Sequence, residues 1–347
     1  MMKEYIKRVY LKNIFTEGDK KMKKLLVSTA VATLLLTVPG MAKAEENKND
    51  WDKPVFIKGA DLEGRDLQKT KEDLDVKDDY ETYSVTIDDV KKYIPNSGNL
   101  RYIYSSATIK HKKWGSGVDV EIDTPDNITK VTSEQYQNAS ITAGIKDSEI
   151  HIASVEKVTG EGALAGIYKA YEEKGNELNS EDIKNSNKEM KDLTSISEEN
   201  KDKEGYSDEA LNASIADIKK QLADIKKKQD EQITPKQVED IVNKVLDERG
   251  LSGILTNNQK EMILGNMTNI ANSNALNSDP KAFAKNAKDA LKGIEKNSGD
   301  LLDKAKEKAK NLNTEENRNF LQKIWDSILQ IIQAIIDFIS NLFNRIF

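Results

Sequence analysis

Hydrophobic residues follow two different periods along this chain, and the change of period divides it into two regions. In residues 53–174, β-branched residues alternate with polar ones, as at Ile150 and Ile152 on either side of His151. This period of two predicts half-buried strands. Strands are predicted at 55–59, 100–109, 118–122 and 150–158, with a hairpin loop at 110–117, and helices near 62–74, 86–93, 132–144 and after Gly162. The first region is therefore predicted to be a small mixed sheet with helices, in the α+β or α/β class.

The second region, residues 208–319, has the hydrophobic period of helices. Apolar residues recur at spacings of four and three at Leu211, Ile215, Ile218, Leu222 and Ile225. This spacing predicts an amphipathic helix that packs within the chain. Further helix starts are indicated by capping residues at Thr234 before Pro235, at Thr256 with Gln259, and at Ser278 before Pro280. The region is predicted to be a helical bundle.

Residues 175–207 separate the two regions and are rich in Asn, Ser, Glu and Lys. Such a composition, with only scattered apolar residues, is typical of a linker. We predict a linker here, with one weak helix at most, around 182–193.

Residues 320–347 are predicted to form a C-terminal amphipathic helix. Apolar side chains make up 17 of its 28 residues, and no apolar run exceeds three positions, which argues against a membrane span. Burying even half of this apolar surface is worth on the order of 10 kcal/mol, so we expect it to be covered. The predicted association face consists of Ile324, Ile328, Ile331, Ile335, Phe338 and Leu342. Three alternatives could cover this apolar surface: the helical bundle of the same chain, a second copy of the chain, or a membrane surface.

The N-terminal segment has the pattern of a secretory signal peptide. Lys23 and Lys24 precede an apolar run at 25–38, and a small-x-small site follows at Ala42 and Ala44. We predict a signal peptide over residues 1–44, with Met22 as the true start and Glu45 as the first mature residue. Residues 45–52 are charged and are predicted to be a disordered lead-in.

Composition narrows the classes of partner. The 53 basic and 59 acidic residues give a net charge of -6, which argues against nucleic acid, whose binding needs a basic face. The chain contains no cysteine, so it has neither disulfides nor the cysteine that a lipoprotein anchor requires. Together with the abundance of Lys, Asn and Ile, this favours a Gram-positive bacterial source.

Candidate chemistry is sparse in the sequence. Residues 160–165 fit the dinucleotide pattern G-x-G-x-x-A, but no second strand follows, so tight packing of helix on strand is the better interpretation. His111 and His151 have no partner at metal-ligand spacing. Asp123, Asp126 and the acids at 61–66 offer a carboxylate pair or calcium ligands, but calcium-loop spacing is absent and solvated surface is the preferred interpretation. No G-x-S-x-G elbow occurs. We predict no catalytic residue, no cofactor and no metal ligand.

Several short segments together resemble a known family. They are Gly59-Ala60-Asp61-Leu62, Ser105-Ser106-Ala107, Asn127-Ile128-Thr129, Ile141-Thr142-Ala143-Gly144, and Gly162-Ala163-Leu164 running into 168–172. In combination they resemble the YpuA-like secreted proteins of Gram-positive bacteria, catalogued as domain of unknown function 1002. The resemblance implies an exported protein at the cell envelope, and it brings no activity, cofactor or catalytic residue.

The sequence thus predicts a secreted protein at the outer face of the membrane or in the wall that acts by binding rather than by catalysis. An exported hydrolase acting on cell wall or peptides is the alternative. No nucleic acid or small-molecule cofactor is expected as a partner, and self-association or membrane-surface contact is expected through residues 320–347.

Cleavage after Ala44 is the first testable expectation. Mature protein isolated from the native host should begin at Glu45, because Ala42 and Ala44 fit the small subsites of the processing enzyme. N-terminal sequencing checks this, and exported molecules that mostly begin at Met1 or Met22 would contradict it.

Truncation after Asn319 tests the association face. The shortened protein should stay folded and monomeric while losing self-association or vesicle binding, measured by sedimentation velocity and vesicle co-sedimentation. If it unfolds or aggregates instead, the segment belongs to the core and the association hypothesis fails.

Overall fold

The computed structural model describes residues 53–310 except 96, 99, 114 and 116. The strands are β1 (Val55–Gly59), β2 (Glu81–Val85), β3 (Ser106–His111), β4 (Val118–Ile122) and β5 (Ser148–Ala153). The helices are α1 (Gly64–Asp73), α2 (Ile87–Tyr93), α3 (Ser133–Ala143), α4 (Glu161–Glu173), α5 (Ser180–Asn200), α6 (Asp208–Lys226), α7 (Pro235–Glu248), α8 (Asn257–Ala271), α9 (Asn274–Ser278) and α10 (Pro280–Lys310). The predicted α+β class is confirmed. The predicted signal peptide, lead-in and C-terminal helix lie outside the described residues, as does 311–319 of the predicted helical region.

The described strands form one mixed sheet in the order β2-β1-β3-β5-β4. β1 pairs in parallel with β2 and antiparallel with β3, while β5 pairs antiparallel with β3 and in parallel with β4. The hairpin predicted at 110–117 is wrong, because β5 lies between β3 and β4. β2 was not predicted, since Val85 is the only aliphatic residue in its sequence ETYSV.

The two faces of the sheet are covered differently. Val55, Ile57, Ile150 and Ile152 are at most 1% exposed and belong to the main hydrophobic core. On the opposite face, Phe56 and Ala153 pack with Leu67, Leu74, Val76 and Tyr80 in and just after α1. Alternation along β4 and β5 places Glu121, Glu149 and His151 on that second face too. These polar residues are partly exposed, so this part of the sheet meets solvent.

Helix starts agree with the capping signals of the sequence. The side chains of Thr132, Thr234 and Thr256 each accept a hydrogen bond from the backbone amide three residues on. That residue is a glutamine in each case, and its side chain accepts a hydrogen bond from the threonine amide, which completes a capping box. Such caps are local, so they are visible in the sequence alone.

The stretch predicted to be a linker contains the 21-residue helix α5. Polar side chains occupy much of its buried face: Asp182, Asn185, Ser186, Glu189, Asp192, Ser197 and Asn200. The helix expected around 182–193 is thus longer than predicted and buried on one face, because these inward polar residues hide the hydrophobic period that Ile183, Met190, Leu193 and Ile196 would otherwise show.

A fully buried ion pair joins a helix of the predicted linker stretch to a helix of the predicted helical region. Lys219 Nζ of α6 lies 2.6 Å from Glu189 Oε1 of α5, and both side chains are 0% exposed. The Thr142 hydroxyl donates to Glu189 Oε2 at 2.5 Å, and Lys219 donates to the Asn138 carbonyl at 2.7 Å. Thr142 and Asn138 belong to α3, so one polar cluster holds α3, α5 and α6 together.

The hydrophobic core is continuous across the same boundary. One cluster contains Ile150 of the sheet, Leu164 of α4, Leu211 of α6 and Met267 of α8. The described residues all belong to one compact unit. The described parts of the two predicted regions, 53–174 and 208–310, therefore share a core.

Breaking this ion pair should destabilise the whole protein. Lys219→Met leaves the Glu189 carboxylate buried without its cation, and removal of one partner from such a pair costs about 3–5 kcal/mol. The double variant Lys219→Met with Glu189→Met should lose less, because no isolated charge remains. Urea unfolding of the three proteins measures the difference.

The matched control is Lys184→Met, whose ion pair with Glu181 is 74% and 66% exposed. Its effect on the free energy of unfolding should stay within about 0.5 kcal/mol. If Lys219→Met costs no more than this control, the buried pair does not hold the helices together.

Candidate functional site

One edge of the sheet carries the polar and aromatic side chains that form the candidate site. The strand registers place the ends of β1, β2, β4 and β5, and the start of β3, at this edge. The loops that follow β1, β4 and β5 therefore lie at this edge, together with the loop that leads into β3.

A histidine surrounded by carboxylates lies where β4 and β5 end. The parallel register places His151 directly opposite Glu121. Asp123 follows β4, and its Oδ1 lies 3.1 Å from Nδ1 of His151. Nε2 of the same ring lies 3.4 Å from Glu149 Oε1. We call Glu121, Asp123, Glu149 and His151 the His151 cluster.

The charges of the His151 cluster favour a cation. Partial burial alone would lower the pKa of His151, but hydrogen bonds and charge interactions with Asp123, Glu149 and Glu121 outweigh it and raise the pKa above its usual value. Both ring nitrogens face carboxylates. In a Ser-His-acid triad one nitrogen must face the nucleophile, so this arrangement does not favour that chemistry.

Sequence reasoning separated the members of this cluster. His151 is 30 positions from Glu121 and 28 positions from Asp123, so no local spacing connects it to either. The available signal was alternation, because Glu121 and His151 both occupy polar positions between core residues of predicted strands. What the sequence did not show is that β4 and β5 are parallel neighbours.

The other candidate residues are not brought to this cluster. His111 is the last residue of β3 and pairs with Ser148. This pair lies three residues along the strands from the pair of Thr108 with His151. Asp61 instead accepts a hydrogen bond from the Ile103 amide at 2.7 Å and so holds the loop before β3. Among the described residues, Glu121, Asp123 and His151 form the group of acids and histidines whose possible ligand atoms lie within 4.8 Å of one another.

That same loop carries an exposed aromatic pair. Tyr102 is 61% exposed, and its ring stacks on that of Tyr104 with 5.8 Å between centroids. The pKa of Tyr104 is raised above its usual value. Desolvation is the largest cause, and the charges of Tyr102, Asp61, Glu156 and Asp66 raise the pKa further. The charges of three carboxylates therefore act on Tyr104.

The glycines of the dinucleotide-like pattern are explained by packing. Gly160 has φ +115°, and a Cβ there would lie 2.3 Å from the Tyr136 hydroxyl oxygen. A Cβ on Gly162 would lie 2.7 Å from Ser105 Oγ. Close approach of α4 to its neighbours accounts for both positions, as the sequence analysis predicted.

Comparison with known proteins places this structure in a family. Residues 58–290 match the family described as Protein of unknown function (DUF1002). The chain belongs to the DUF1002 family. It is 32% identical over 322 residues to a Bacillus subtilis (strain 168) protein titled Uncharacterized protein YpuA, an alignment that covers 91% of this chain and 99% of that protein. The predicted family resemblance is confirmed, and no solved structure matches this chain.

The DUF1002 match covers the whole candidate site. It runs from Lys58 in β1 to Ala290 within α10, and it includes the aromatic pair, the His151 cluster and the buried ion pair. The buried contacts between sheet and helices thus fall within one family region rather than across two.

Proposed function

We propose that this DUF1002 protein is exported and acts at the cell envelope by binding a partner rather than by catalysis. The pattern from Lys23 to Ala44 supports export. A location at the outer face of the membrane or in the wall is part of the proposal. Among the described residues, no helix is long and apolar enough to cross a membrane.

The observation that carries the binding role is the aromatic pair. An exposed tyrosine stacked on a second one offers a flat apolar surface with a polar tip, which is the kind of side chain enriched at binding sites. The loop beneath it is anchored, since Ile103 between the two tyrosines is 2% exposed and its amide is bound by Asp61. The surface is therefore held in place before any partner arrives.

The electrostatic surroundings point to the chemistry of the partner. The negative faces of tyrosine rings attract ammonium and guanidinium groups. Asp61, Asp66 and Glu156 add negative charge around Tyr104. We propose that the partner presents lysine, arginine or another amine to this edge of the sheet.

The hydrolase alternative receives less support from the geometry. Both nitrogens of His151 face carboxylates, at 3.1 Å and 3.4 Å, so the ring is not directed at a hydroxyl nucleophile. Binding is the function that the described residues support better. Association through residues 320–347, with a second copy or a membrane surface, remains a separate proposal from the sequence.

A titration with defined peptides tests the binding surface. A fluorescent lysine–serine peptide should bind the protein purified from its host, and a glutamate–serine peptide of equal length should not. Tyr102→Ala should weaken binding of the lysine peptide by about fivefold, the equivalent of roughly 1 kcal/mol from a cation–aromatic contact. Fluorescence anisotropy measures both affinities.

Two charge-neutralising variants form the matched control. Glu156→Gln removes a carboxylate whose charge contributes to the raised pKa of Tyr104 and should weaken binding, whereas Asp79→Asn removes an exposed carboxylate before β2 and should not. Equal affinity of wild type and Tyr102→Ala, or equal binding of both peptides, would refute the proposed surface.

A further inference from the structure

We propose that Glu121, Asp123 and His151 bind a divalent first-row transition-metal ion of the Zn²⁺ or Mn²⁺ type. The site is separate from the tyrosine pair and does not depend on the binding role proposed above.

The donor atoms lie close enough together to meet on one ion. One ligand atom from each of the three residues lies within 4.8 Å of the other two. Zinc bonds to nitrogen and oxygen are about 2.0–2.2 Å long, which places neighbouring ligand atoms of a tetrahedral ion about 3.3–3.6 Å apart. The 3.1 Å between His151 Nδ1 and Asp123 Oδ1 is close to that separation. Small side-chain rotations suffice to close the site around an ion.

The second nitrogen of His151 has the partner expected for a metal-bound imidazole. Ligating histidines usually donate their other N–H to a carboxylate, which fixes the tautomer and strengthens the ligand. Here Nε2 lies 3.4 Å from Glu149, and Glu149 is in turn 3.6 Å from Lys110 Nζ. We therefore assign Nδ1 as the metal-binding nitrogen and Glu149 as a positioning residue.

The backbone holds these side chains without help from an ion. Val120 and Ile122 alternate with Glu121, and their pairing with Ile150 and Ile152 sets the register that brings Glu121 opposite His151. The Asp123 amide donates to the Ile152 carbonyl at 2.8 Å, so the residue after β4 remains bound to β5. A site on paired strands loses little conformational entropy when it binds a ligand.

The donor set and exposure indicate which ions fit. An imidazole nitrogen with carboxylate oxygens suits Zn²⁺ and its neighbours, whereas Ca²⁺ and Mg²⁺ prefer oxygen alone. The side chains of His151 and Asp123 are 27% and 18% exposed, so the remaining coordination positions open to water. The carboxylates of Glu121, Asp123 and Glu149 outnumber the nearby Lys110. A divalent ion would neutralise this excess of negative charge.

Cobalt spectroscopy and calorimetry test the site on the untagged protein after treatment with a chelator. We expect one equivalent of Co²⁺ to give a visible absorption band and one equivalent of Zn²⁺ to displace it. His151→Gln, Asp123→Asn and Glu121→Gln should each weaken Zn²⁺ binding by more than about tenfold. Ca²⁺ and Mg²⁺ at equal concentration should leave the cobalt band unchanged.

Three matched variants separate this site from surface binding. His111→Gln removes the other histidine, and Asp119→Asn removes a carboxylate of β4 that pairs with Lys112 instead; both should bind like wild type. Glu149→Gln should keep the cobalt band while lowering affinity about 10–100-fold, as expected for a residue that acts through His151. Thermal melts without metal verify that all variants are folded.

The proposal is overturned if wild type gives no cobalt band, or if His151→Gln and Asp123→Asn bind Zn²⁺ as tightly as wild type. Equal losses in His111→Gln and His151→Gln would indicate adventitious surface binding and would also overturn it.

Discussion

The Glu189–Lys219 ion pair is the constraint on which the assembly of this protein depends. Two charges in a fully buried position are tolerated only when each finds its partner and further hydrogen bonds. Burial alone raises the pKa of Glu189 and lowers that of Lys219, so each group needs the other to stay charged. Thr142 and the Asn138 carbonyl complete the cluster, and these belong to the helix that borders the sheet. The pair can form only when α3, α5 and α6 are all in place.

Helix α3 transmits this constraint to the candidate site. The Ser133 hydroxyl accepts a hydrogen bond from the Ile122 amide at 3.1 Å, and the Gln137 side chain donates to the Val118 carbonyl. These contacts satisfy one amide and one carbonyl on the outer edge of β4, an edge that would otherwise be open to pairing with another strand. β4 carries Glu121 and leads directly to Asp123. The polar cluster in the core thus helps to position the carboxylates around His151.

The family region combines a rigid interior with two distinct surface features at one edge of the sheet. The tyrosine pair offers a flat aromatic surface, and the charges of three carboxylates act on Tyr104, which suits a cationic partner. The His151 cluster offers nitrogen and oxygen donors on paired strands, which suit a metal ion. Both are carried by loops or strand ends that the core anchors, as is common for functional residues on a stable scaffold. An exported protein with either property would use it outside the cytoplasm.

Structural features that depend on contacts between near neighbours could be predicted from the amino-acid sequence alone. The capping boxes at Thr132, Thr234 and Thr256 join residues three positions apart, and the alternation in β4 and β5 follows from the geometry of one strand. Only the tertiary structure decided that β5 lies between β3 and β4, and therefore that His151 meets Glu121 and Asp123. It also decided that α5 is buried, because its inward Glu189 and Asp182 are satisfied by Lys219 and by the backbone of α9, which are distant in sequence. Local periodicity cannot reveal such contacts, since a polar residue in the core looks like a surface residue until its partner is known.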